Sequence, residues 1–334
     1  MFTYVVRRTL QSIPLLLLVS VILFIIVSNA PGGGALAPYL QNPHITPADI
    51  ARLKHNLGLD QPQYIQYFKW LAHIFTSGGD FGYSTSNSEP VTQAILERMP
   101  ATLLLMGSSF VFALILGVAF GIFAALRPYS LGDYAVTTFA FFGQSMPTFW
   151  FALMLQLAFA VHGIPLPGGY LIQLPSAGIS SGDPLTLGNF MADPGDFLKH
   201  LVLPTIVLSL TGLATYSRFM RSSMLEVTKT DYMRTASAKG LDFRTVVFKH
   251  GFKNALIPLV TVIALSLPGL VSGAIVTETL FAWPGMGRLF INALQQSDIA
   301  LLMGYLTMVA VLVVFFNLIA DLAYAWLDPR VKYD

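Results

Sequence analysis

Six stretches of this chain, 9–27, 101–126, 134–162, 200–217, 254–277 and 299–320, contain no Asp, Glu, Lys or Arg. A helix that crosses a bilayer needs about 20 mainly apolar residues. The fold predicted is therefore an all-α polytopic membrane protein with six transmembrane helices. The fourth stretch is the shortest and carries Pro204. Composition agrees: only 11% of the 334 residues are charged, against about 25% in soluble domains. That shortage excludes a soluble enzyme, and the 54% hydrophobic content excludes intrinsic disorder. With no cysteine, a disulfide framework, thiol catalysis and a Cys-ligated metal are also excluded.

Orientation follows from Lys and Arg, which are enriched in cytoplasmic loops. With both termini placed in the cytoplasm, the inner segments hold thirteen basic residues and the outer ones six. None occurs between Arg127 and Lys199, as an outward crossing and an outer loop require. Arg7-Arg8 and the triplet Ser28-Asn29-Ala30 also fit a cleavable signal, but the apolar run exceeds the about 7–15 residues of such signals. A retained anchor is expected.

The expected division is a cytoplasmic stub with helix 1 over 1–29, a large extracytoplasmic loop over 30–100, and a membrane core over 101–334. Thr46-Pro47 opens a helix with a cap residue and a first-turn proline, and 60–75 reads as another with Tyr64, Phe68, Leu71 and Phe75. Residues 163–197, rich in Gly, Pro and Ser, read as irregular. These outer segments are either a cap over helix ends or a docking surface. The cytoplasmic connection 218–253 holds eight Lys or Arg and three acids, interleaved with apolar residues. It reads as a short helix, a stop at Gly240 and a second helix. Such a basic amphipathic element suits an anionic lipid surface or the grip of a cytosolic partner.

Within that connection, Tyr232-Met-Arg-Thr-Ala-Ser-Ala-Lys-Gly-Leu241, then His250 and Asn254-Ala-Leu-Ile-Pro258, resembles the coupling loop of dipeptide/oligopeptide ABC-importer permeases. Of the general Glu-Ala-Ala…Gly motif only Ala236 and Gly240 match. Arg234-Thr235 replaces the first two positions, and Phe252-Lys253 stands where Leu-Pro often closes the motif. Both departures are usual in the peptide branch. Further similar segments are Arg7-Arg8-Thr-Leu-Gln-Ser-Ile-Pro14, Leu57-Gly-Leu-Asp-Gln-Pro62 with Gln66-Tyr67, and Gly79-Asp-Phe-Gly-Tyr-Ser84. Arg98-Met-Pro-Ala-Thr102, Ser145-Met-Pro-Thr-Phe-Trp150, Phe281-Ala-Trp-Pro-Gly-Met-Gly-Arg288 and Asp328-Pro-Arg330 follow in order. The long first outer loop resembles the first-type subunit of that branch.

The resemblance implies a bacterial inner (plasma) membrane protein that pairs with a second, homologous permease subunit around the substrate path. It implies two cytosolic ABC ATPase subunits and an extracytoplasmic substrate-binding protein that delivers peptide. Tyr232, Arg234, Thr235, Ala236, Ala238, Lys239, Gly240 and Leu241 would form the ATPase-coupling loop. Arg234 and Lys239 would meet acidic or backbone groups, Ala236 and Ala238 would permit close approach, and Gly240 would let the chain turn away. The chain has no Gly-x-x-x-x-Gly-Lys-Ser/Thr loop, so ATP and Mg would belong to the partners. No catalytic residue, cofactor, metal or nucleic-acid partner is expected on this chain.

Other residues have two readings. Pro268, Gly269 and Gly273 interrupt the fifth stretch, where a broken helix is tolerated only if protein or a water cavity satisfies its backbone. They are candidate pore or gate residues, with Glu278, although Glu278 and Asp321 equally suit paired residues at helix ends. Gly117-Val-Ala-Phe-Gly121 reads as a close-packing face. Residues 281–287 cannot continue a helix and read as a turn, or as an aromatic belt. His162 and His200 lack a second His at ligand spacing. The same machine could serve nickel, glutathione or opines. An ion-coupled secondary transporter would show repeated halves and intramembrane charges. An intramembrane hydrolase would need a deep nucleophile–base pair.

Overall fold

The computed structural model describes residues 2–29, 36, 40, 44–181 and 193–327. Ala30 and the Asp328-Pro-Arg330 motif lie outside the described residues. Five helices are long and apolar enough to span a membrane: 6–28 within α1 (Phe2–Ser28), α4 (Val91–Leu126), α7 (Pro194–Thr228), the segment 243–270, and 299–322 within α13 (Ile299–Leu327). A further pair, α5 (Leu131–Ser145) and α6 (Thr148–Leu155) with the turn after it, meets at a 106° bend and is long and apolar enough, taken together, to make a sixth, broken span. Pro147 explains the break, because the residue before a proline is driven out of the helical region and Met146 is extended at ψ 127°.

Several spans are longer than their charge-free stretches. α4 begins at Val91 rather than at Ala101, and α7 covers 35 residues where the sequence suggested 200–217. Glu97, Arg98, Arg218 and Arg221 are good helix formers, so charge marks where lipid ends and not where the helix ends. The fifth span is displaced the other way. It runs through a π-helix (Val246–Phe252) into α10 (Lys253–Ser266) and a 3-10 turn at Leu267–Leu270, and does not continue as a helix to Thr277. Pro268 has no N–H to donate, and Gly273 takes φ +77°. The helix resumes as α11 (Ile275–Leu280).

The chain packs as two compact units. The first comprises 1–102, 271–275 and 284–318. Its helices α2 (Pro47–Asn56) and α3 (Gln63–Thr76) are the two expected in the first outer loop. α2 opens with a capping box in which Thr46 and Asp49 bond each other's backbone N–H. Tyr67 and Trp70 of α3 pack on Phe24 of α1, and the Tyr67 and Ser20 hydroxyls lie 2.8 Å apart. A two-residue hairpin, β1 (Tyr83–Ser84) with β2 (Glu89–Pro90), leads into α4. Buried Asp298 ties it to the start of α13, accepting from Ser84 Oγ at 2.7 Å, Ser86 N at 2.9 Å and Leu301 N at 3.0 Å. The amphipathic helix α12 (Met286–Gln295) closes this core with Met286, Leu289 and Ala293.

The second unit comprises 103–270, 276–283 and 319–334. Residue numbers rise together along the contact of α4 with α7, from Ser108–Thr205 to Gly117–Tyr216 and Gly121–Met220, so these helices run parallel. Glycine is required at that seam. A Cβ on Gly117 would stand 2.8 Å from Tyr216 Cβ, and one on Gly121 would stand 2.6 Å from both Met220 Cβ and Ser217 O. Backbone and Cβ atoms cannot swing away, so the expected small-residue face is a packing face. Outward, Ile115, Leu265 and Phe123 remain exposed on this chain, which suits lipid or a second membrane subunit rather than water. Gly121→Leu should lower the thermal stability of the detergent-purified protein by about 1–3 kcal/mol. Gly107→Ala in the same helix, where a Cβ meets nothing within 4 Å, should not. Equal melting of both variants with the parent would contradict this packing.

Candidate functional site

α7 ends at Thr228, and within three residues the chain starts α8 (Asp231–Ala238). Two positions of α8, Met233 and Ala236, are buried, three apart on one face. They pack on Val246 of the π-helix and on Val227 of α7. The Met233 methyl also reaches Gly251, where a Cβ would lie 3.2 Å from it and 3.6 Å from the Met224 methyl. α8 is thereby clasped between the end of α7 and the π-helical start of the next span. A π-turn carries one extra residue per turn and recurs at functional sites.

The remainder of α8 is exposed. Tyr232, Arg234, Thr235, Ala238 and Lys239 share the open face, with Arg234 3.6 Å from Asp231 across one turn. Gly240 ends the helix at φ +75°, its N–H donating to Ser237 O at 3.0 Å. No atom lies within 4 Å of where its Cβ would be, so the demand for glycine is conformational and not spatial. Leu241 and Phe243 then stand exposed, at 41% and 67%. Asp242 caps the next helix, its carboxylate accepting from Thr245 N at 3.1 Å. The bonds with Thr245 hold the Asp242 carboxyl below the usual carboxylate range. Its contribution to stability is complete above the unfolded value, about 3.9, and is lost as pH falls through the lower folded one.

One expectation needs correction. Ala236 was to permit close approach of a partner, but it is only 6% exposed and faces its own chain. Of the two alanines, only Ala238 lies on the open face. The expected succession of short helix, glycine and second helix is present.

The four candidate pore residues are not one cluster. Gly269 lines a mainly apolar cavity of about 300 Å³ with Phe110, Leu208 and Leu270, to which Ser109, Thr211, Thr215, Tyr216 and Ser266 contribute neutral polar residues. Its polar lining is neutral. Pro268 sits in the turn beside it, and Gly273 belongs to the other packing unit. Glu278 is wholly buried in α11, and its carbonyl accepts the Trp283 N–H at 2.8 Å.

Residues 281–287 form the expected turn, with Ala282 at φ +48°, but not an interface belt. Phe281 packs on Ala152, Leu203 and Val207, and Trp283 has no exposed surface. Gln156, which sequence reasoning passed over, pins this turn by donating to Leu280 O at 3.1 Å and Ser176 O at 2.7 Å. His162 and His200 each lie 2.9 Å from a backbone carbonyl, of Leu157 and Asp196. Among the described residues no His, Cys, Asp or Glu group is arranged to hold a metal.

Sequence reasoning also missed an ion pair close to this site. Asp133, 2% exposed in the first turn of α5, receives Arg221 Nε and Nη2 of α7, both at 2.6 Å. Its only sequence signal is a cap pattern, Ser130 three residues before Asp133 at the head of an apolar run.

Comparison with known proteins agrees with this layout. Residues 117–333 match the family described as "Binding-protein-dependent transport system inner membrane component", and residues 1–106 match its N-terminal counterpart. The oligopeptide transport system permease protein AppB of Bacillus subtilis is 41% identical over the whole of both chains. The dipeptide transport system permease protein DppB of Alkalihalophilus pseudofirmus is 38% identical, again over the whole of both. DppB of Escherichia coli K12 is 35% identical over 100% of this chain and 99% of its own. With its multiple apolar helices, the chain is a multi-pass bacterial inner-membrane protein and belongs to the binding-protein-dependent transport system inner membrane component family.

Proposed function

We propose that this chain forms half of the translocation path of an ATP-driven peptide importer and works by alternating access. The observation that carries this reading is the two-sided helix α8. One face is locked to both flanking spans by Met233 and Ala236, and the other presents Tyr232, Arg234, Thr235, Ala238 and Lys239 to a partner. A helix held this way moves with its spans as one piece, which is what transmission of work from an ATPase requires. Gly240 turns the chain back, and Leu241 extends the contact surface. A lipid surface is the weaker alternative for this face, because its exposed apolar groups sit among both charge signs.

The complex comprises a second homologous permease, two cytosolic ATPase subunits that hold ATP and Mg, and an extracytoplasmic binding protein docking on the 30–100 region. Both termini and the 218–253 connection face the cytoplasm. The cargo is di- or oligopeptide, a reading supported over nickel, glutathione or opines by the dipeptide and oligopeptide permeases among its relatives. The cavity beside Gly269, mainly apolar with the neutral residues Ser109, Thr211, Thr215, Tyr216 and Ser266, carries no charged side chain and so rejects no side-chain charge by sign. Pro268 and Gly269 supply the break that opens this cavity, with Gly273 and Glu278 in the following gate segment.

Mild-detergent purification from the native membrane, followed by mass spectrometry, should return a second permease and ATPase chains in constant ratio. Repeated purification of the chain alone would overturn the assignment. Gly240→Val should lower peptide uptake at least tenfold while leaving membrane insertion intact, because a β-branched residue is strained at φ +75°. Uptake at the parental level would remove Gly240 from the mechanism. Depleting ATP with the ion gradient clamped should abolish uptake, and persistence would favour a secondary carrier.

A further inference from the structure

The Asp133–Arg221 pair has the geometry of a mechanical joint. Arg221 offers its guanidinium fork to both carboxylate oxygens at 2.6 Å, the bidentate arrangement that fixes direction as well as distance. The same carboxylate accepts the Tyr129 N–H at 2.8 Å, and Tyr129 is held at φ +62° in the tight turn from α4 to α5. One aspartate therefore fastens the end of α4, the start of α5 and the side of α7. Farther along, the Arg218 guanidinium lies over the Phe141 ring at 5.5 Å, a second tie between α7 and α5. Gly143 of α5 in turn approaches Leu210 of α7 so closely that a Cβ would stand 2.8 Å from it.

Holding helices together does not by itself call for charge. A buried ion pair is seldom more stabilising than apolar residues of the same volume, whereas its best-attested use is to fix one register. Position decides what this one would do. Arg221 lies about two turns before the end of α7, and Met224, less than one turn on, touches the Met233–Gly251 contact that clasps α8. From α8 the path runs through Met233 and Met224 to α7, through Arg221 to Asp133, and so into α5 and the broken third span.

We propose that Asp133 and Arg221 are positioning residues that carry displacement of α8 into the α5–α6 span, so that losing the pair separates ATP hydrolysis from transport. The inference rests on the assignment of α8 as the ATPase-contacting helix. The test is made on the whole complex in proteoliposomes, measuring ATPase rate and uptake of a mixture of isotope-labelled di-, tri- and tetra-alanine. Asp133→Asn, Arg221→Gln and the double variant are compared with the parent and with Gly240→Val.

The expected result is ATPase within twofold of the parent, uptake per ATP lowered at least tenfold, and a double variant no worse than either single one. Unchanged uptake per ATP would overturn the inference. So would ATPase and uptake falling together with the amount of assembled complex, which is what a purely structural pair predicts. If the single variants fail to accumulate because one charge is left buried, the neutral double variant decides by the same two readouts. Failure of the double variant to assemble also counts against the proposal. Gly240→Val separates the two levels: if it too leaves uptake intact, the reading of α8 has failed, and if it alone uncouples, only the joint has.

Discussion

Inside a bilayer no water is present to bond a peptide N–H or C=O, and the helices of this chain and the places where they break follow from that constraint. Six apolar stretches become helices because a helix satisfies its backbone within itself. Breaks are permitted only where something else satisfies the freed groups. The chain breaks at the 106° bend at Met146–Pro147 and at Pro268–Gly273, where Ser272 O accepts the Tyr305 hydroxyl at 2.9 Å. The turn at 281–285 is a third, where Gln156 caps Leu280 O and the Gly178 N–H caps Phe281 O at 2.8 Å. Phe281 and Trp283 bury that turn in protein instead of lipid.

The proposed importer would place a second requirement on these helices, since force applied at one end must reach the other without being absorbed. The parallel α4–α7 seam meets it by backbone proximity at Gly117 and Gly121, where no side chain can act as a soft spacer. On the same proposal Asp133 and Arg221 would meet it by charge, through a bidentate pair in which only Asp133 is fully buried. α8 is held by Met233 and Ala236 between two elements, while its other face stays open. Stiffness within the unit and an open outer face are what a shared coupling element needs.

Much of this was legible in the sequence for physical reasons. Lipid selects composition strongly, so the spans show as charge-free stretches. Helix signals are local, so the Thr46 cap and the Gly240 stop could be read from a few neighbouring residues. The misses share the opposite character. Arg221 and Asp133 are 88 positions apart, and no periodicity joins them. Ala236 looks the same in sequence whether it faces a partner or Val246; only the fold of the π-helix decides. α12 gives no span signal, because an amphipathic helix of ten residues is neither charge-free nor long. α4 and α7 extend beyond their charge-free stretches because charged residues, excluded from lipid, are still good helix formers.

The central claim is that the open face of α8 lies in a groove of a cytosolic ATPase. The chain contains no cysteine, so single cysteines placed along α8 report contact without background. Short thiol cross-linkers applied to the native membrane complex should join Tyr232→Cys, Thr235→Cys and Ala238→Cys to an ATPase subunit, and should not join Met233→Cys or Ala236→Cys. Cross-linking of all five positions alike, or of none of the open-face positions to any ATPase, would contradict the account.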